Sequence, residues 1–153
     1  MNISFDLDST LIPHGNEFET EKRNLFGKLL GIEKIRKGTC ELIRELRNAG
    51  HNIHIYTTSY RTRSKIKLIF RYYGLSIDRV INQKQNTETL KSMNISASKY
   101  PPAFDFDLHI DDSEGVEIEA KRFNFNVIIV RPNDIGWAEK IKNKTKTLGN
   151  LGS

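Results

Sequence analysis

Two spacings of apolar residues alternate along this chain. Residues 2 to 6, Asn52 to Thr57, Arg79 to Asn82, Leu108 to Asp111 and Asn126 to Val130 are short apolar runs bounded by turn formers, and each reads as a strand. Helical spacing fills the intervals. Residues 17 to 31 place Phe18, Leu25, Phe26, Leu29 and Leu30 on one side and charges on the other. Thr39 to Ala49 aligns Leu42, Ile43 and Leu46 before the stop at Gly50. Arg61 to Tyr73 aligns Ile66, Ile69 and Phe70 before Gly74. Residues 83 to 93 are weakly helical, Tyr100-Pro101-Pro102 breaks any helix, and Ser113 is placed to cap a helix reaching Phe123. Pro132 marks a turn before a last helix over 135 to 144. The Lys/Asn/Gly-rich stretch 145 to 153 is expected to fray.

Strands that alternate with helices imply right-handed crossovers and a parallel sheet covered on both faces. The expected fold is α/β, a three-layer doubly wound parallel sheet with the first strand central at the switch point. Residues 12 to 38 form a small helical insert, or cap, within a single domain spanning 1 to 153. The insert is too short to be a domain of its own.

Bulk properties narrow this picture only slightly. The chain has 153 residues, enough for a full core, and a net charge of +5 that suits an anionic substrate or nucleic acid without selecting either. Cys40 is the only cysteine and reads as a packing residue. No apolar stretch approaches the roughly 18 residues of a membrane-spanning helix. The first strand starts too near Met1 to leave room for a signal peptide, so the expected location is cytoplasmic, with no membrane partner.

The polar residues that end the strands carry the chemistry. Asp6 and Asp8 stand one residue apart at the end of the first strand, in Phe5-Asp6-Leu7-Asp8-Ser9-Thr10-Leu11. Asp111 and Asp112 end the fourth. Taken singly, the first pair also suits a solvated turn, and the second a helix N-terminus that favours negative charge. In a parallel sheet both pairs lie on one edge. Carboxylates that converge there repel one another unless a hard cation with a preference for oxygen sits among them.

The run Phe5-Asp6-Leu7-Asp8-Ser9-Thr10-Leu11 resembles motif I of the haloacid dehalogenase-like (HAD) hydrolases, and Ile110-Asp111-Asp112 resembles their motif IV. Ile55-Tyr56-Thr57-Thr58-Ser59 is similar to motif II, with Thr57 the matching hydroxyl and Thr58 beside it as a backbone donor. Lys99, twelve residues ahead of Asp111, is the better match to the motif III lysine. Lys84 is its rival, and Lys91 reads as an exposed helix residue. The likeness covers roughly residues 1 to 131.

The resemblance implies a phosphatase acting through an aspartyl-phosphate. Asp6 is then the nucleophile, and Asp8 the acid that serves the leaving group and the base that activates water. Mg²⁺ is held by the Asp6 carboxylate, the Asp8 backbone carbonyl and Asp112, with Asp111 behind it. Arg61 is placed to touch a substrate phosphate, whereas Arg63, Lys65, Lys67 and Arg71 read as a solvated face. His14 is expected at the entrance, His109 in a structural role, and Trp137 against the last helix. The small insert leaves open a nucleotide, a sugar phosphate or a phosphorylated macromolecular end. The basic helix and the lysine spacing lean toward nucleotides. A non-catalytic metal- and phosphate-binding module is one alternative. Nucleic-acid end processing is another, suggested by charge but lacking interleaved aromatics. Relatives with a minimal cap often shield their sites by oligomerising, so a homodimer is compatible.

Overall fold

Five strands, β1 (Asn2–Phe5), β2 (Asn52–Tyr56), β3 (Arg79–Ile81), β4 (Leu108–Asp111) and β5 (Val127–Ile129), pair in parallel in the order β3-β2-β1-β4-β5. They belong to a computed structural model that describes residues 1–151. The order is that of a doubly wound sheet with β1 at its centre, as the alternation of elements predicts. The chain moves outward from β1 to β3, then crosses back to β4 on the other side of β1. Ligands in such sheets bind in the crevice beyond the carboxyl ends of the strands at this switch point.

The helices are α1 (Leu25–Leu29), α2 (Thr39–Asn48), α3 (Arg63–Tyr72), α4 (Gln83–Ser92), α5 (Glu114–Phe123) and α6 (Trp137–Leu151). Right-handed crossovers put α2 and α3 on one face of the sheet and α4 and α5 on the other. Alternation along the strands separates what each face buries. Ile3, Phe5, Ile53, Ile55, Leu108 and Ile110 join Leu42, Ile43, Ile66, Ile69, Phe70, Trp137 and Ile141 in the main core. The opposite face carries a smaller cluster of Tyr56, Ile81, Phe104 and Phe106. On that second face Ser4, His54 and His109 are also buried. Ser4 Oγ and His109 Nδ1 meet there at 2.9 Å, whereas neither ring nitrogen of His54 has a hydrogen-bond partner among the described residues, and its ring stacks on Phe106.

Three sequence expectations change in ways that bear on the site. The amphipathic helix over 17 to 31 shrinks to the five residues of α1. The chain before it pairs instead with 35–37: Glu21 N–H donates to the Ile35 carbonyl and Lys37 N–H to the Glu19 carbonyl. Only Gly27 of α1 packs inward, and a Cβ there would lie 2.6 Å from the Tyr72 ring. Leu25, Phe26, Leu29 and Leu30 are exposed as a result. Next, α3 starts at Arg63 rather than Arg61, because Thr62 caps it by accepting from Lys65 N–H. Arg61 therefore lies in the loop that faces the strand ends. Finally, α6 runs on from the predicted end at 144 to Leu151, with Thr145 buried and Leu148 packed on the core. The expected tail of 145 to 153 is thus helical as far as 151, and 152 and 153 lie outside the described residues.

Smaller points follow the same logic. Ser113 precedes α5 but makes no capping bond through its side chain. Cys40 is half-buried against the core, and burial together with nearby Glu21 pushes its thiol up to about 11, which suits packing rather than nucleophilic chemistry. Trp137 is buried at the start of α6, where its ring and that of Phe18 sandwich the Arg36 guanidinium at 4.8 and 4.6 Å. Among the described residues no helix is long and apolar enough to cross a membrane.

Because the main core is continuous through β2, replacing Ile55 with alanine should leave a cavity in it. Urea denaturation is expected to show a loss of about 2–5 kcal/mol with an unchanged m-value.

Candidate active site at the carboxyl edge of the sheet

Each strand that flanks the switch point hands one side chain to the same small volume. Asp6 is the first residue beyond β1, and its N–H extends the ladder to the Ile110 carbonyl at 2.8 Å. Asp111 is the last residue of β4, and Asp112 follows it. Carboxylate oxygens of Asp6, Asp111 and Asp112 lie within 4.8 Å of one another.

Lys99 reaches into this cluster from the connection between α4 and β4. Its Nζ stands 2.7 Å from Asp6 Oδ1 and 2.5 Å from Asp111 Oδ2, and all three side chains are buried. Lys84 is exposed on α4, as is Lys91. Lys99 is aimed inward because its backbone is clamped on both sides. Tyr100 N–H donates to the Tyr56 hydroxyl, which donates to Asn86, whose amide donates to the Ser98 carbonyl. From α5, Glu119 accepts the N–H groups of Ser98 and Lys99 at 2.6 and 3.2 Å.

The carboxylates are not equivalent. Asp111 has both oxygens engaged: Oδ2 by Lys99 and by His109 Nε2 at 2.9 Å, Oδ1 by Ser113 N–H at 2.9 Å. Burial opposes its charge, but His109 and Lys99 together outweigh burial and hold the carboxyl well below the usual range. Asp6 moves the other way. Burial pushes its pKa up more strongly than Lys99 lowers it, and Asp111 adds to the rise. Its Oδ1 is sealed from solvent and ion-paired with the Lys99 ammonium at 2.7 Å. Asp112 accepts one hydrogen bond, from the Thr10 hydroxyl at 3.1 Å, and burial and then Asp111 raise its pKa. Lys99 keeps its charge: burial opposes it, and Asp6 and Asp111 more than restore it.

Asp8 sits in different surroundings two residues from Asp6. Ser9 takes a left-handed φ of 58°, and the turn closes through Leu11 and Ile12 N–H groups donating to the Leu7 carbonyl. None of the backbone hydrogen bonds among the described residues uses the Asp8 carbonyl. The Asp8 side chain stays 38% exposed at the rim, whereas that of Asp6 is 9% exposed. Arg61 Nη1 lies 2.9 and 3.0 Å from its two oxygens. The same guanidinium grips Glu33 through Nε at 2.9 Å and Nη2 at 2.8 Å, and donates to Ser59 Oγ. Hydrogen bonding to Arg61 lowers the Glu33 pKa. Arg61 thus has most of its donors engaged before any substrate arrives.

The remaining expected residues are nearby but less tightly joined. Thr57 is buried just past β2, where its hydroxyl accepts from Ser59 N–H at 3.1 Å. Thr58 is exposed on the flank. Among the described residues no hydrogen bond or ion pair joins either threonine to the carboxylates. His14 is exposed at the rim, its backbone N–H donating to Glu17.

Sequence reasoning missed two contacts, those of Thr10 and Glu33. Thr10 lies in the first motif, and its hydroxyl was legible as a neighbour. Glu33, between the fully buried Ile32 and Ile35 of the insert, carried no signal. His109, which alternates with Asp111 along β4 and was expected in a structural role, holds Asp111 directly.

The donor set fits a hard divalent cation. It offers only oxygen, converges from two strand ends, and leaves Asp6 with Lys99 as its one side-chain partner among the described residues and Asp112 with spare acceptor capacity. Asp111, already saturated, suits a supporting position.

No family model matches the chain, and no curated protein matches it. Among solved structures it is similar to a predicted phosphatase from Clostridium acetobutylicum, with 15% identity, 91% of this chain and 89% of that chain covered, and a TM-score of 0.48. It is also similar to a predicted HAD-like family hydrolase from Porphyromonas gingivalis, with 14% identity, 96% and 97% of the two chains covered, and a TM-score of 0.49.

Lys99→Met should leave two buried carboxylates without their cation and cost about 3–5 kcal/mol. Saturating Mg²⁺ should recover more of the melting temperature in this variant than it adds to the wild type. Asp111, held below its unfolded value, contributes stability that is complete above about pH 5 and is lost as pH falls through the unfolded value of about 3.9 and below. The stability gap between wild type and Asp111→Asn, followed by urea unfolding, should therefore be widest near neutrality and narrow toward pH 3.

Proposed function

We propose that this chain is a Mg²⁺-dependent phosphate monoester hydrolase that works through an aspartyl-phosphate on Asp6. One observation carries this reading. Two carboxylates a single residue apart occupy opposite environments, Asp6 sealed against Lys99 and Asp8 at the solvent rim. A nucleophile and an acid/base need that division of labour.

Asp6 attacks phosphorus through a carboxylate oxygen, and the bond to the leaving oxygen breaks. Asp8 supplies the proton that the leaving oxygen takes up. Water then attacks the phosphorus of the phosphoenzyme, Asp8 takes its proton, and Asp6 is released with inorganic phosphate. Lys99 offsets charge on Asp6 and on the phosphoryl oxygens throughout. Thr57, buried just past β2, is proposed as a neutral hydroxyl donor to those oxygens. The carboxylates of Asp6 and Asp112 and the Asp8 backbone carbonyl would hold the cation, with Asp111 supporting. When bound, the cation supplies positive charge that the phosphoryl oxygens need in the transition state. His109 and Ser113 fix Asp111, so the supporting carboxylate cannot swing. Arg61 orients Asp8 and stands beside the path of an incoming phosphate.

A generic aryl phosphate provides the test. Wild type should release the phenol only with Mg²⁺ present, Asp6→Asn should be inactive, and Asp8→Asn should lose about 10²–10⁴-fold in turnover. Undiminished turnover by Asp6→Asn, or by wild type in excess chelator, would sink the proposal.

A further inference from the structure

Beside the carboxylate cluster lies a second concavity that the chemistry above does not use. It measures about 560 Å³, and Thr58, Tyr60, Gln83, Thr87 and Ser98 are in its wall. Its position follows from the chain. Thr58 adjoins Thr57, and Ser98 adjoins Lys99, whose Nζ touches Asp6. Tyr60 in turn adjoins Arg61, which bonds Asp8 at 3.0 Å, so three chain neighbours of site residues line the concavity.

The lining is selective in kind. Tyr60 is 81% exposed and makes no ring contact among the described residues, so a full aromatic face is left to solvent next to the site. Such a face stacks on a planar ring and tolerates any base. Leu90, Ile95 and Ala97 supply an apolar floor. Gln83 donates through Nε2 to Thr87 at 3.1 Å, so both present neutral polar groups to the lining. Lys91 is the one charged residue in the lining, and no carboxylate lines it. A leaving group with a second phosphate would find a single lysine there, and an amine no carboxylate in the lining. A planar heterocycle joined to a hydroxylated sugar meets the aromatic face, the neutral polar groups and the size together.

Building on the phosphatase reading, we propose that this concavity is the subsite for the nucleoside of a nucleoside monophosphate, with Tyr60 as the stacking platform. Binding tests it without turnover. Titration calorimetry on Asp6→Asn with Mg²⁺ should show adenosine monophosphate binding about tenfold or more tighter than ribose 5-phosphate. Adding Tyr60→Ala should erase that preference while leaving ribose 5-phosphate within twofold. Tyr60→Phe, which keeps the ring, should retain it. Equal affinity for the two phosphates, or a preference that survives Tyr60→Ala, would overturn the subsite. Wild-type hydrolysis of an aryl phosphate is scored separately: its failure would defeat the phosphatase reading, whereas the subsite stands or falls on the binding comparison.

Discussion

Burying one ammonium between two carboxylates is the constraint around which this molecule is arranged. Lys99 has Asp6 on one side and Asp111 on the other, with little water to solvate any of them. Desolvation of each ion is costly, and the mutual attraction repays it only when the geometry is good and the remaining lone pairs are met. The surroundings meet those conditions. The sheet register brings the ends of β1 and β4 side by side, His109 and Ser113 occupy the other lone pairs of Asp111, and the Tyr56–Asn86–Ser98 chain and Glu119 fix the backbone that delivers the lysine.

That arrangement leaves a deliberate imbalance. Asp111 is saturated, whereas Asp6 and Asp112 keep capacity in reserve. Three carboxylates face one ammonium, so the cluster has more negative charge than its own lysine neutralises. A divalent cation among the oxygens would answer this. Burial, which makes it costly to hold the carboxylates together, is also the main cause that raises the Asp6 pKa against the opposing pull of Lys99.

The insert after β1 contributes in a way its apolar pattern did not suggest. Its spacing of Phe18, Leu25, Phe26, Leu29 and Leu30 describes an amphipathic helix, yet Phe18 is taken by Arg36 and only a short turn of helix forms. What reaches the site is Glu33, anchored by buried isoleucines and by the Tyr73 hydroxyl, which donates to its carbonyl. Through Arg61 it sets where Asp8 stands. Polar residues in a loop of this kind matter by position, and loop position is a tertiary property.

Much of the plan was legible in the residue order. Apolar runs and helical spacing determine the strand and helix sequence, and alternation with crossover handedness then yields a parallel sheet with β1 at its centre. Because side chains alternate along a strand and parallel strands share an edge, the convergence of Asp6 with Asp111 and Asp112 was already implied. Only the tertiary structure decided between Lys99 and Lys84, because a long side chain acquires a target through the clamp on its backbone, which involves residues from β2, α4 and α5. It also separated the surroundings of the two aspartates in the first motif, since the left-handed turn at Ser9 and the Arg61–Glu33 pair hold Asp8 at the rim. Local patterns specify which elements form, but solvent exclusion around a charge depends on residues distant in sequence, and that exclusion gives each carboxylate its chemistry.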